Sequence, residues 1–290
     1  MGDRRAPFIS GRGLARALQG ERRAVPRPGP TGAICCTPPA TASPLRLVPS
    51  SIRFAGVSLS PTLSFERVGH GPLSITIRQA VIAGWTGRDR GAVDHHIAEL
   101  AAIGVPPPSE VPLFYRISAQ LLTSQTVIQV VDATSSGEVE PLLIDDGENL
   151  YLGLGSDHTD RELESHSVAL SKQVCAKPVA TTLWDYGEVR DHLDAILLRS
   201  FVRDDAAAEW TAYQDGGVAK IRPLDQLIAA CPFAAGDGRL EPGTAMMCGT
   251  LGVLSGGVRP ARFFRMEMHD PVLDRTLVHE YETASLPAVK

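Results

Sequence analysis

Hydrophobic and polar positions change rhythm several times along the chain, and each change predicts an element. Residues 63–67 and 73–82 alternate and carry β-branched side chains on either side of Gly69-His70-Gly71, the pattern of a β-hairpin. Residues 89–103 switch to helical spacing, with Val93, Ile97, Leu100 and Ile103 on one face. Gly104 and the prolines Pro106, Pro107 and Pro108 stop that helix. Residues 126–132, 138–144 and 150–154 read as strands separated by Ser-Ser-Gly and Asp-Asp-Gly turns. Residues 186–201 suit an amphipathic helix with Val189, Leu193, Ile196 and Leu197 inward. Residues 210–221 suit a hairpin around Asp215-Gly216-Gly217, and Pro223 stands where a first helical residue belongs, opening a helix over 224–231. The remainder, 243–250 and 262–281, is strand-rich. With no internal repeat and no regular βαβ alternation, the expected fold class is α+β and β-rich, not a doubly wound sheet.

Residues 1–55 follow none of these rhythms. They are rich in Pro, Gly, Arg and small residues, as in RRAVPRPGP at 22–30, and cannot bury enough to offset the entropy of ordering. Residues 1–53 hold nine arginines against two acids, a balance of +7, while the rest balances to −12, giving the net −5. The leader lacks the apolar core of a secretory signal. It reads as a disordered Arg/Pro-rich tail, or as upstream sequence translated from a wrongly chosen start, with residues 56–290 forming the working domain. A domain this acidic is a poor binder of nucleic-acid backbones, and no apolar run approaches the ~20 residues that a membrane-spanning helix requires. The five cysteines (Cys35, Cys36, Cys175, Cys231, Cys248) are odd in number and form no CxxC pair. Neither a disulfide framework nor a zinc ribbon is suggested, and a reducing cytoplasm fits.

Three short constellations carry chemistry. In Gly137-Glu138-Val139-Glu140, alternation places both carboxylates on one face of a strand, where they repel unless a cation lies between them or both face water. Hard divalent cations take such oxygens, although a solvated strand face fits the same pattern. Asp157 follows in Ser156-Asp157-His158-Thr159-Asp160-Arg161, where it can close a ligand set or simply cap a helix. Arg161, one turn later, is suited to bidentate capture of a carboxylate. In His96-Ile97-Ala98-Glu99 the i, i+3 spacing lets Glu99 orient the imidazole, as in a general base that activates water. The wet face of an amphipathic helix fits equally, and His95-His96 with Glu99 as a zinc half-site lacks a second ligand cluster. Walker, GxSxG and GxGxxG signatures are absent.

In this order the pieces resemble the fumarylacetoacetate hydrolase superfamily. Residues 96–116 resemble its helix with a His-x-x-Glu pair, Pro-rich turn and Phe-containing strand; 137–144 resemble its Glu-x-Glu metal strand; 156–164 resemble its Asn-Asp-x-Ser-Ala-Arg-Asp-x-Gln segment. Residues 210–217, Leu240-Glu241-Pro242-Gly243 and Cys248-Gly249-Thr250 are similar to its late hairpin and glycine-rich motif, and residues 82–89 and 171–175 resemble a prokaryotic branch of unknown function. The resemblance implies a mixed β-roll, usually a homodimer, with Mg²⁺ or Mn²⁺ held by Glu138, Glu140 and Asp157. It implies a 2-oxo or β-diketo acid as substrate, bound by Arg161, Arg116, Glu164 and Thr250, with His96 and Glu99 activating water for C–C cleavage. The lysine facing the substrate is Lys172 or Lys177, with Lys172 preferred. Ser156 and Glu164 replace the family's usual Asn and Gln, departures that fall around the substrate pocket. Decarboxylation or hydration on the same site, and metabolite binding without catalysis, are the alternative activities.

Overall fold

The computed structural model describes residues 60–102, 107–254 and 256–289, without the side chains of His96, Glu99 and Leu100. The expectations for residues 1–55, and the stop of the first helix at Gly104 and Pro106, lie outside the described residues. Two mixed sheets dominate. The larger runs, from edge to edge, through Gly71–Thr76, Thr62–Arg67, Thr182–Asp185, Leu150–Ser156, Val139–Asp145, Thr244–Met247, Gln79–Gly84 and Leu113–Ile117. The smaller runs through Thr211–Gly217, Leu197–Arg203, Phe263–Asp270, Arg275–Leu286 and Val127–Val131. Parallel pairs (Thr244–Met247 with Gln79–Gly84, Arg275–Leu286 with Val127–Val131) sit among antiparallel ones. The helices are few and short, and the class is the expected β-rich α+β.

The Val139–Asp145 strand is buried along its whole length, so side chains leaving both faces need a core. On one side Leu143 and Leu152 join Leu198, Phe264 and Met266 of the smaller sheet. On the other, Leu142 and Ile144 join Phe65, Ile75, Ile82 and Leu183, contributed by the larger sheet as it curls over itself. The strand is thus the shared wall of two cores, the condition under which a near-continuous apolar run replaces alternation.

Most expected strands form, with local corrections. The hairpin before residue 82 is real, pairing Thr62–Arg67 with Gly71–Thr76. Residues 79–84 leave it, however, to pair in parallel with Thr244–Met247. The amphipathic helix expected over 186–201 is wrong: a single helical turn, Tyr186–Val189, leads through a 3-10 segment into the strand Leu197–Arg203. That strand alternates in burial and is hydrogen-bonded on both sides, and the two ladders outweigh a local helical period. The expected turn at Asp215-Gly216-Gly217 is instead the end of the strand Thr211–Gly217, which pairs with Leu197–Arg203. Pro223 is the residue before the helix Leu224–Ala230 rather than its first. The three described cysteines, Cys175, Cys231 and Cys248, are free and buried. Among the described residues no helix is long and apolar enough to cross a membrane.

Leu143 is fully buried where the two sheets meet. Leu143→Ala is expected to lower unfolding free energy by about 3 kcal/mol, through lost transfer energy and an unfilled cavity. Urea denaturation at matched slope checks this.

Candidate metal centre

The site is a consequence of strand register. Val139–Asp145 and Leu150–Ser156 run antiparallel with Val139 opposite Ser156 and Glu140 opposite Gly155. Continuing the ladder by one residue brings Asp157 opposite Glu138, and the Asp157 N–H donates to the Glu138 carbonyl at 3.0 Å. Directly opposed residues share a face, and Glu140 returns to it two positions on. The Asp146–Asn149 turn fixes this register. Asp146 Oδ1 accepts from the N–H groups of Glu148 and Asn149, both at 2.7 Å, and Gly147 adopts φ of 103°. One carboxylate oxygen from each of Glu138, Glu140 and Asp157 then lies within 4.8 Å of the others.

Cations surround this cluster. Asp157, fully buried, meets Lys172 Nζ at Oδ2 and Lys177 Nζ at Oδ1, the latter at 3.0 Å. Burial works to raise its pKa, but the two ammonium groups overcome this and hold the carboxyl far below the ordinary range. Lys172 is raised in turn: burial opposes its charge, and Asp157 and Glu138 more than restore it. Arg161 reaches Glu138 Oε1 at 3.1 Å, Glu164 Oε2 at 2.8 Å and Ser136 Oγ at 2.7 Å. Glu140 is held well above its ordinary value, by burial first and then by the charge of Asp157. Its Oε2 accepts from the Gly249 N–H at 2.8 Å, and no described donor reaches Oε1. A buried carboxylate with a spare oxygen, crowded by two others, is a donor set of the kind hard divalent cations take. These residues fit a hard divalent cation.

The scaffold behind the ligands was only partly readable from sequence. Gly249 has φ of 98°, and a Cβ there would sit 1.6 Å from Thr86 Oγ1, so only glycine brings its N–H to Glu140. Gln214, buried in its strand, accepts from Val139 N at 3.0 Å and from Ser200 Oγ at 2.8 Å. It donates to Thr250 Oγ1 at 2.8 Å and Leu251 O at 2.7 Å, tying the metal strand to the glycine-rich loop. His158 lies fully buried between Tyr281 OH at 3.0 Å and Ser135 Oγ at 2.9 Å. Burial, then the charges of Lys177 and Arg161, push its pKa down to about 3, leaving a neutral imidazole that braces the Asp157 segment. A polar residue in a strand and a histidine beside a ligand are faint signals for these roles.

The carboxylates open onto a cavity of about 760 Å³ lined by Glu138, Glu140, Arg161, Glu164, Lys172 and Thr250 together with apolar residues. Six of the expected residues are therefore on its surface and Asp157 lies just behind. Lys172, not Lys177, reaches the cavity; Lys177 is fully enclosed and donates to the His158 carbonyl. Asp160, not Asp157, caps the short helix Arg161–Glu164. Arg116 is a correction. Strand alternation turns Tyr115 toward the cavity, and Arg116 lies exposed on the opposite face with its guanidinium 4.9 Å from the Phe233 ring centroid. The side chains of His96 and Glu99 lie outside the described residues.

Lys177 faces Asp157 where neither meets solvent. Lys177→Met is expected to cost about 3 kcal/mol or more, because it leaves part of a buried carboxylate charge uncompensated. Denaturation of the purified variant checks this, with Lys177→Arg tested for partial rescue.

Two solved structures share the architecture. A protein from Burkholderia cenocepacia assigned as a fumarylpyruvate hydrolase is 15% identical, with a TM-score of 0.51 over 81% of this chain and 100% of its own. A 2-keto-3-deoxyarabinonate dehydratase is 12% identical, with a TM-score of 0.50 over 74% of this chain and 75% of its own. The fold is accordingly fumarylacetoacetate-hydrolase-like. Comparison with curated proteins finds no match. A family model matches residues 83–281, which include the three carboxylates and most of both large sheets, and the chain belongs to the family it describes, protein of unknown function DUF2848.

Proposed function

We propose that this protein is a Mg²⁺- or Mn²⁺-dependent enzyme of the fumarylacetoacetate hydrolase superfamily that cleaves a C–C bond in a 2-oxo or β-diketo acid. The observation that carries this reading is the convergence of Glu138, Glu140 and Asp157 beside Lys172, against a cavity open to solvent on one side. The two similar structures with this fold both have a 2-oxo acid in the names of their activities, which supports the head group. They differ in reaction, so the bond broken has less support than the group bound.

When bound, the cation supplies Lewis acidity toward the substrate's oxo group. The chain's own residues do the rest. Lys172 projects its ammonium from a buried helix position to the cavity surface, where it can meet the carboxylate of a 2-oxo acid. Arg161, fixed by Ser136 and Glu164, keeps a guanidinium edge beside Glu138 and shapes that end of the pocket. Thr250, held by Gln214 and by the Val139 carbonyl, lines the floor. In this reading His96 and Glu99, i and i+3 on the helix, are the pair assigned to activating the attacking water. Val93, one turn earlier on the helix Arg90–Ala102, lines the cavity, which supports the assignment.

A panel of 2-oxo and β-diketo acids tests the proposal in the presence of Mg²⁺ or Mn²⁺. Turnover is expected to require the metal, to disappear with chelator, and to fall by about 10²-fold or more in kcat/KM in Glu138→Ala. Release of CO₂ would assign decarboxylation to the same site. Metal-dependent binding without turnover across the panel would contradict the enzymatic reading and favour metabolite binding.

A further inference from the structure

The charge balance of the cavity says which 2-oxo acids it suits. Among the described residues its charged lining is Glu138, Glu140 and Glu164 against Arg161 and Lys172. Neither cation is idle. Arg161 spends its guanidinium on Glu138, Glu164 and Ser136, and Lys172 is bound to Asp157. A divalent cation among the three carboxylates, as the proposed function requires, satisfies Glu138, Glu140 and Asp157 and leaves Lys172 to face one substrate carboxylate. Glu164 retains its hold on Arg161. A second carboxylate entering the cavity would meet Glu164 with an Arg161 guanidinium that is already engaged, and no unpaired cation among the described lining residues.

Much of the remaining lining is apolar: Ile82, Trp85, Tyr115, Val168, Leu251 and Val253. It is a built surface rather than a leftover one. Trp85 occupies a left-handed backbone conformation, φ 60°, which a bulky residue adopts only when its surroundings enforce it. Its indole Nε1 lies 3.3 Å from Tyr115 OH, and the Tyr115 ring centroid lies 5.5 Å from Lys172 Nζ. Part of the apolar lining therefore lies beside the ammonium that meets the carboxylate. Gly84 allows the approach, since a Cβ there would lie 2.8 Å from Tyr115 Cε2.

From this arrangement we infer that the site selects 2-oxo acids carrying a single carboxylate and an uncharged, apolar remainder, and that Glu164 is the residue that disfavours dicarboxylates. The inference rests on the proposed metal-dependent function and deepens it.

Two ligand series test it on the wild-type chain in Mg²⁺, with binding read by calorimetry and by thermal shift. One lengthens the tail of a monocarboxylate from 2-oxobutanoate to 2-oxooctanoate and includes phenylpyruvate; the other takes 2-oxo dicarboxylates of matching length. The monocarboxylates are expected to tighten about threefold per methylene, as apolar burial predicts, and to bind at least tenfold better than their dicarboxylate counterparts. Glu164→Gln, checked for fold by circular dichroism, is expected to narrow that gap by improving dicarboxylate binding. Dicarboxylates that bind as well as monocarboxylates, no gain with tail length, or a gap unmoved by Glu164→Gln would overturn the inference while leaving the metal-dependent reading intact. If neither series binds with Mg²⁺ present, the underlying functional reading fails and this inference with it.

Discussion

Asp157 is a carboxylate with no access to solvent, held between the ammonium groups of Lys172 and Lys177. Ionised groups are rarely tolerated at such depth without partners, because desolvation costs several kcal/mol per ion. Each partner is anchored in a different way. Lys172 comes from the helix Val168–Val174 and faces the cavity, whereas Lys177 begins a two-residue strand and also donates to the His158 carbonyl. The triad thus joins the end of Leu150–Ser156, the helix Val168–Val174 and the strand Lys177–Pro178 into one electrostatic unit. Packing alone would favour neutral residues here, so the three charges persist only because each is paired.

Around that unit the fold acts mainly as a register device. The opposition of Glu138 and Asp157 is set by the Asp146–Asn149 turn at the far end of the ladder, and a slip of one residue between the two strands would put Asp157 on the opposite face from Glu138 and Glu140. Gln214 and Gly249 add the second constraint, clamping the glycine-rich loop to the metal strand from the neighbouring sheet. Geometry at the site is therefore decided by hydrogen bonds between segments far apart in sequence.

That division explains what was legible in the sequence. That Glu138 and Glu140 share a face was legible because alternation is a local signal, whereas grouping Asp157 with them rested on the order of motifs that resembles the fumarylacetoacetate hydrolase superfamily. The strand-rich class was legible from the same alternation. Residues 186–201 misled because Val189 and Ile196 are inward in either a helix or a helix-then-strand path, and the choice belongs to the ladders with Phe263–Asp270 and Thr211–Gly217. Arg116 was misplaced by one step of alternation, which only the pairing of Leu113–Ile117 with Gln79–Gly84 settles. The roles of Lys177, His158 and Gln214 depend on contacts from 19 to 123 residues away, which no local pattern encodes.

If Glu138, Glu140 and Asp157 form one divalent-cation site, calorimetric titration of Mg²⁺, with Mn²⁺ followed in parallel by electron paramagnetic resonance, should reveal it. One ion per chain is expected in the wild type, with at least tenfold weaker binding in Glu140→Gln, a variant that keeps the side-chain volume and removes the buried charge. Absence of stoichiometric binding, or equal affinity in the wild type and Glu140→Gln, would contradict it.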